Sequence, residues 1–176
     1  LLGHSMGGKL AMLITLLKPN YINKLIIADI APINYVNDNQ NIIDVLLNLD
    51  LTLVRNRNHA DELLSNEIEQ KFLRSFLLQN IKLSDGKYKW SINLTSIKNA
   101  MNNLRSFPKI DKNNKVDTKS LCIYGQKSDY VNENHFQIFK NYFSNILFHK
   151  IKNAGHFLHI ENPDEFYEVS KNFFKD

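Results

Sequence analysis

The sequence of 176 residues has a single cysteine, Cys122, and no long hydrophobic run. One cysteine excludes a disulfide scaffold and a cysteine-based metal finger, and its apolar neighbours (SLCIYG) predict a buried thiol on a strand. No apolar stretch reaches the ~18 residues that a membrane-spanning helix needs. Hydrophobic residues make up 43% and charged residues 23% of the chain, which indicates a globular protein with a packed core.

The basic residues exceed the acidic ones, and the net charge is +4. Lysine and asparagine are enriched along the whole sequence, and no basic cluster is interleaved with aromatic residues. A nucleic-acid surface would need such a cluster, so we expect no nucleic-acid partner. We interpret the positive charge as a compositional bias of the chain; the alternative is that it attracts an anionic substrate.

The first informative motif is GHSMGG, in which Gly3, Ser5 and Gly7 have the spacing G-x-S-x-G. After a strand end and before a helix, this spacing is typical of a nucleophile elbow, which holds a serine in a strained turn with its hydroxyl exposed. We expect side chains at Gly3 and Gly7 to collide with the neighbouring strand and helix. The segment Lys9–Leu17 is predicted to form the helix that follows the elbow. The alternative interpretation is a glycine-rich turn with an incidental serine; Lys9 is misplaced for a phosphate-binding loop.

Apolar runs at 25–28, 120–125 and 146–152 predict strands, and the segments after the last two predict helices. Apolar strands alternating with helices indicate an α/β fold with a mostly parallel sheet. Residues 34–108 instead show helical spacing almost throughout, most clearly over 60–81. The exception is a short extended segment at 85–94, with a turn at Asp85–Gly86. The region is too long for one crossover connection and predicts a helical lid. The expected division is therefore a core at 1–33, a lid or cap at 34–108, and a second core segment at 109–176.

The chain begins at Leu1, only two residues before the elbow. We therefore expect it to be the C-terminal part of a longer protein, with the N-terminal strands of the sheet absent. No cleavable signal is visible, and an intracellular location, in the cytoplasm or an organelle, is the expectation.

A serine hydroxyl needs a base, and histidine is suited to that role near neutral pH. Of the six histidines, only His156 lies in a glycine-preceded loop beyond the last strand. The order serine first and histidine last is that of an α/β-hydrolase. His159 is the fallback. We expect the side chain of His4 to point away, and we place His59 in the lid, His135 on a helix and His149 within a strand.

Two aspartates could orient the histidine. Asp29 follows the strand after the elbow helix, at the edge of the sheet where catalytic groups of open α/β sheets lie. Asp129 lies in the turn GQKSDYV, one residue later than the usual G-x-x-D position, which Ser128 occupies. Asp29 is the favoured candidate and Asp129 the alternative acid.

The motifs GHSMGGK, DIAP, S-x-Y-V (Ser128 to Val131) and AGHF-x-H resemble the esterase and thioesterase branch of the α/β-hydrolase superfamily, which includes bacterial YbfF-type esterases and related mitochondrial abhydrolases. In that branch the acid lies in the DIAP segment. The resemblance implies the C-terminal part of an α/β-hydrolase fold and hydrolysis of small acyl esters or thioesters without metal or organic cofactor. It implies a triad of Ser5, His156 and Asp29, and an oxyanion donor in the backbone N–H of Met6.

Two other functions are compatible with the same residues. A non-catalytic protein of the hydrolase fold could use the pocket only to bind a ligand. An acyltransferase or perhydrolase could use the same triad and differ only in what attacks the acyl-enzyme.

Overall fold

The computed structural model describes residues 1–36, 40–110 and 115–175. The chain divides into two compact units, one formed by residues 1–35 with 105–176 and the other by residues 36–104. In chain order the elements are β1 (Leu2–His4), α1 (Met6–Leu17), β2 (Lys24–Ala28), α2 (Gln40–Asn48), α3 (Arg57–Leu64), α4 (Lys71–Leu77), β3 (Ile81–Ser84), β4 (Lys87–Trp90), α5 (Leu94–Arg105), β5 (Lys119–Gly125), α6 (Phe136–Tyr142), β6 (Ile146–Ile151), α7 (Leu158–Glu161) and α8 (Pro163–Lys175).

The first unit is built on a sheet whose strand order, within the described residues, is β1-β2-β5-β6. Each neighbouring pair is parallel. The predicted strands at 25–28, 120–125 and 146–152 are confirmed to within one residue at each end, and so is the closing helix. The helix predicted over Lys9–Leu17 begins earlier, at Met6, because the chain enters it directly from Ser5.

The sheet is covered on both faces, because alternate residues of its strands point into two different cores. Leu25 and Ile27 of β2 pack with α1 and α6 on one face. Ile26, between them, packs with α7 and α8 on the other face. Continuous apolar strands are what a parallel sheet buried on both sides requires. The predicted burial of Cys122 in β5 is confirmed.

The turn at Ser5 is strained, as the elbow motif predicts. Ser5 has φ 54° and ψ −123°, a conformation that costs about 1–3 kcal/mol for a residue other than glycine. Its backbone is fixed by a bond from Ser5 N–H to Ala28 O of 3.0 Å and by the N–H groups of Gly8 and Lys9, which both donate to Ser5 O. The serine therefore sits at the junction of β1 and α1.

The structure corrects one of the two glycine assignments. A Cβ at Gly3 would overlap the backbone of Gly7 and come within 2.7 Å of Gly8 N, so this glycine is required for close approach of strand and helix. A Cβ at Gly7 would meet nothing within 4 Å, so the collision expected there is wrong. The second crowded position is Gly8, where a Cβ would lie 2.5 Å from the Ile30 Cγ2 atom.

This difference makes a matched pair of substitutions informative. We expect Gly3→Ala to lower the free energy of unfolding by about 1–3 kcal/mol, because the methyl group forces the backbone of the elbow apart. Gly7→Ala, four residues away in the first turn of α1, is expected to raise it by about 0.5–1 kcal/mol through helix propensity. Urea unfolding followed by circular dichroism measures both. Equal destabilisation by the two variants would contradict the packing described here.

The second unit has its own apolar core. Its central buried residues are Leu46, Val54, Ala60, Leu64, Ile68, Leu78, Ile81 and Leu94. The helical spacing over 60–81 does not correspond to one helix: α3 ends at Leu64 and α4 starts at Lys71. The Arg74 guanidinium holds the intervening turn by donating to Ile68 O, to Glu69 O and to both carboxylate oxygens of Asp61.

An antiparallel hairpin of β3 and β4 completes this unit. The sequence predicts its turn at Asp85–Gly86 and the extended segment that follows, but not the strand Ile81–Ser84 before the turn. Across the part of the chain that the structure describes, no helix is both long and apolar enough to cross a membrane.

Candidate active site

The candidate site lies at the carboxyl edge of the parallel sheet. Ser5 follows β1, Asp29 follows β2, and His156 lies in the loop after β6. The register pairs His4 with Ala28, and Ala28 in turn with Ile123. Ser5 and Asp29, which directly follow His4 and Ala28, therefore leave neighbouring strands at the same level. In open α/β sheets this is the edge where ligands bind.

The structure brings Ser5, His156 and Asp29 together. His156 Nε2 lies 3.0 Å from Ser5 Oγ. His156 Nδ1 lies 2.8 Å from Asp29 Oδ2. With its proton on Nδ1, the imidazole donates to the carboxylate and accepts from the hydroxyl, which is the arrangement needed to take up a proton from serine.

Asp29 is completely buried, and its carboxylate is surrounded by donors. Oδ1 accepts from Gly125 N–H at 3.0 Å. Oδ2 accepts from Ser128 Oγ as well as from His156. The backbone of Asp29 is strained, with φ 52°, and Asp29 N–H donates to Ile123 O at 2.8 Å. Three donors hold this buried carboxylate in a single orientation.

Asp129, the alternative acid, lies in a different position. Its side chain is exposed in the turn after β5. The residue of this turn that reaches the carboxylate is Ser128, at the G-x-x-D position counted from Gly125. The Ser128 hydroxyl therefore bonds to the same carboxylate oxygen as His156, and this carboxylate comes from the end of the neighbouring strand β2.

His4 is placed differently from the expectation that its side chain points away. Its Nε2 lies 2.8 Å from the carbonyl oxygen of His156, and the two ring centroids are 4.7 Å apart. The His159 ring, in α7 rather than in a loop, also lies 4.7 Å from the His4 ring. Burial lowers the pKa of both His4 and His159. Burial thus favours the neutral form of both rings beside His156.

Tyr130 covers one face of the His156 ring. Their centroids are 4.0 Å apart and the planes are inclined by 23°. The position of Tyr130 is fixed in turn by Tyr35, whose hydroxyl donates to Tyr130 O at 2.6 Å and accepts from Ala31 N–H at 2.8 Å. This stacking removes rotational freedom from the imidazole.

The other histidines do not join this cluster. His59 belongs to α3 in the second unit. His135 ends a short 3₁₀ turn before α6, not within the helix as predicted. His149 lies on β6, where its Nε2 is 3.1 Å from Glu165 Oε1.

The remaining predicted group is the backbone N–H of Met6. Met6 is the first residue of α1, so its N–H has no partner within the helix and lies directly after the serine. Among the described residues, no group of three or more His, Cys, Asp or Glu side chains is arranged to hold a metal ion.

A family model of the alpha/beta hydrolase fold matches residues 1–163. The chain belongs to the α/β-hydrolase family. A solved structure of a marine microorganism esterase is 34% identical, with a TM-score of 0.90 over 98% of this chain and 68% of that chain.

Curated α/β-hydrolase relatives match over nearly the whole chain. The sn-1-specific diacylglycerol lipase ABHD11 of Danio rerio is 31% identical over 94% of this chain and 54% of its own length. The esterase YbfF of Escherichia coli is 28% identical over 99% of this chain and 66% of its own length. The chain thus spans between about half and two thirds of these relatives.

Sequence reasoning missed several residues of this α/β-hydrolase site. One of them is Ser128, which occupies the G-x-x-D position of the turn after β5. The absence of an aspartate at this position was a signal that could have indicated the hydrogen bond from Ser128 to Asp29. The contacts of His4 and Tyr130 with His156 depend on how the end of β1 and the turn after β5 pack against the loop after β6, and no motif indicates them.

Proposed function

We propose that the protein is a serine hydrolase that cleaves acyl esters or thioesters through a covalent acyl-enzyme. In this proposal Ser5 is the nucleophile, His156 the general base and Asp29 the acid that orients it. The observation that carries the proposal is the continuous line of contacts from Ser5 Oγ to His156 Nε2, and from His156 Nδ1 to Asp29 Oδ2.

In the first half-reaction, Ser5 Oγ attacks the carbonyl carbon of the substrate and His156 Nε2 takes up the hydroxyl proton. The carboxylate of Asp29 stabilises the imidazolium that forms. In this proposal the Met6 N–H donates to the oxyanion of the tetrahedral intermediate. When the carbon–oxygen or carbon–sulfur bond breaks, His156 transfers its proton to the departing alcohol or thiol.

In the second half-reaction, water replaces the serine as the attacking group. His156 Nε2 takes a proton from the water while its oxygen bonds to the acyl carbon. Collapse of the second tetrahedral intermediate breaks the bond to Ser5 Oγ, and the proton returns to the serine. The products are a carboxylic acid and the regenerated hydroxyl, so no cofactor takes part in the proposed cycle.

The names of the relatives support the ester-hydrolysing part of this proposal, since they include esterases and a diacylglycerol lipase.

We also propose that residues 34–108 act as a lid that selects the acyl chain. In support, residues 36–104 form a compact unit with their own apolar core.

A fluorophosphonate probe tests this function. Attack by an activated serine displaces fluoride from phosphorus, and we expect one probe molecule per protein, attached to Ser5, with parallel loss of p-nitrophenyl ester hydrolysis. Peptide mass mapping identifies the modified residue. A folded protein that neither reacts with the probe nor hydrolyses esters and acyl thioesters would instead be a ligand-binding member of the fold.

A further inference from the structure

The peptide segment around His156 is held by a carboxylate outside the triad. Gly155 N–H donates to Glu161 Oε2 at 2.8 Å. Phe157 N–H donates to Glu161 Oε1 at 3.1 Å. The two oxygens of one side chain thus bind the backbone on both sides of the proposed base.

This loop has little other regular structure to fix it. His156 lies between the end of β6 at Ile151 and the start of α7 at Leu158. Backbone N–H groups in such a loop need partners from side chains or water. Glu161 supplies two of these partners, and its own N–H donates to Phe157 O at 2.9 Å. Phe157 is therefore held at both its N–H and its carbonyl group.

The neighbouring residues fit this arrangement. A Cβ at Gly155 would lie 3.3 Å from both Glu161 carboxylate oxygens, so the glycine leaves room for the carboxylate to approach. The His156 carbonyl between the two N–H groups is the group that His4 Nε2 contacts at 2.8 Å. The peptide group that joins His156 to Phe157 therefore has a polar partner at both its carbonyl and its N–H. The N–H of Gly155 is bound one residue before His156, and the two attachments together limit the directions that the His156 Cβ can take.

We propose that Glu161 is a positioning residue that aims the His156 imidazole at Ser5 and Asp29 by holding the backbone of residues 155–157. The proposal rests on the serine hydrolase function above. Glu161 contacts the peptide groups and not the imidazole ring, so its effect passes through the orientation of His156. Shifts of about 1 Å in a reacting group can lower a rate by up to roughly 100-fold.

Three substitutions of Glu161 separate the effect of its hydrogen-bond geometry from the effect of its charge. Glu161→Ala removes both hydrogen bonds. Glu161→Gln keeps the length of the side chain but replaces one acceptor with an NH₂ group, and Glu161→Asp keeps the charge but is too short to span both N–H groups. We expect kcat to fall roughly 10-fold in Glu161→Ala and by smaller factors in the other two, with KM changed less than about twofold. Full activity in Glu161→Asp together with loss in Glu161→Gln would point to charge instead of geometry.

Glu165→Gln is the matched control. Glu165 lies four residues further along the chain, and its carboxylate contacts His149 Nε2 at 3.1 Å and Asn162 Nδ2 at 2.8 Å. Its substitution removes the same charge without touching the hydrogen bonds of Gly155 and Phe157. We expect its kcat to stay within about twofold of the parent. All rates are measured below the melting temperature and divided by the folded fraction from circular dichroism.

A spectroscopic measurement makes the result independent of turnover. In the ¹⁵N-histidine-labelled protein, we expect the Nδ1–H of His156 to give a proton resonance shifted downfield by its bond to Asp29. We expect this resonance to broaden or disappear in Glu161→Ala and to persist in Glu165→Gln. Parent protein without hydrolysis, combined with loss of the resonance in Glu161→Ala, would refute the enzymatic function and support the positioning role. Hydrolysis in the parent, with rate and resonance unchanged in Glu161→Ala, would refute the positioning role alone.

Discussion

Replacing Ser5 by alanine is expected to lower kcat for ester hydrolysis by about 10⁶-fold. The substitution removes the protein atom that the proposed mechanism bonds to the acyl group, and it leaves His156 and Asp29 in contact. Alanine and serine have similar size, and both must adopt the same strained φ, so we expect the melting temperature to change little.

The measurement is hydrolysis of p-nitrophenyl esters by purified protein, with probe labelling as a second readout. Ser75→Ala is a suitable control, because Ser75 is an exposed serine on α4 in the second unit. This control should retain both turnover and labelling. Substantial residual turnover in Ser5→Ala, well above the uncatalysed rate, would show that another group or another protein carries the reaction.

The second large effect is expected from the acid. Asp29→Asn should lower kcat by about 10⁴-fold, because an amide no longer favours the histidine tautomer that accepts the serine proton. The amide oxygen can still accept from Gly125 N–H, so much of the local packing is retained. Asp129→Asn provides the control in the same protein, because this residue is exposed in the turn after β5.

Kinetics of the two aspartate variants, measured on the same ester, decide between the acids. We expect Asp129→Asn to remain within about twofold of the parent. A collapse of turnover in Asp129→Asn alone, or equal losses in both variants, would mean that the turn rearranges in the working enzyme and that Asp129 supplies the carboxylate.

The sheet, and the candidate site residues Ser5, Asp29 and His156 at its edge, could be predicted because each depends on a short-range sequence pattern. Buried parallel strands produce continuous apolar runs, and the elbow needs Gly3 and Ser5 at fixed spacing. His156 could be selected because it follows the last strand in a glycine-preceded loop. These signals are local in the chain, and the fold then brings the ends of parallel strands to one edge.

Other features could not be predicted, since they depend on contacts between distant segments. The open space at Gly7 and the crowding at Gly8 follow from where Ile30 lies, and the orientation of His4 follows from the path of the loop that carries His156. The break between α3 and α4 leaves the helical spacing of apolar residues unchanged. Glu161 binds backbone N–H groups, which every residue except proline has. No sequence motif therefore indicates its role.

The separation of Ser5 and His156 by 151 positions has a consequence for how the protein acquires activity. Contacts of such high sequence separation form late, since the loop-closure entropy must be overcome before they contribute. The segment after β1 carries only the proposed nucleophile Ser5, and the loop after β6 carries only the proposed base His156. Return of the proposed ester hydrolysis during refolding would therefore report the docking of the last strand and its loop onto the sheet.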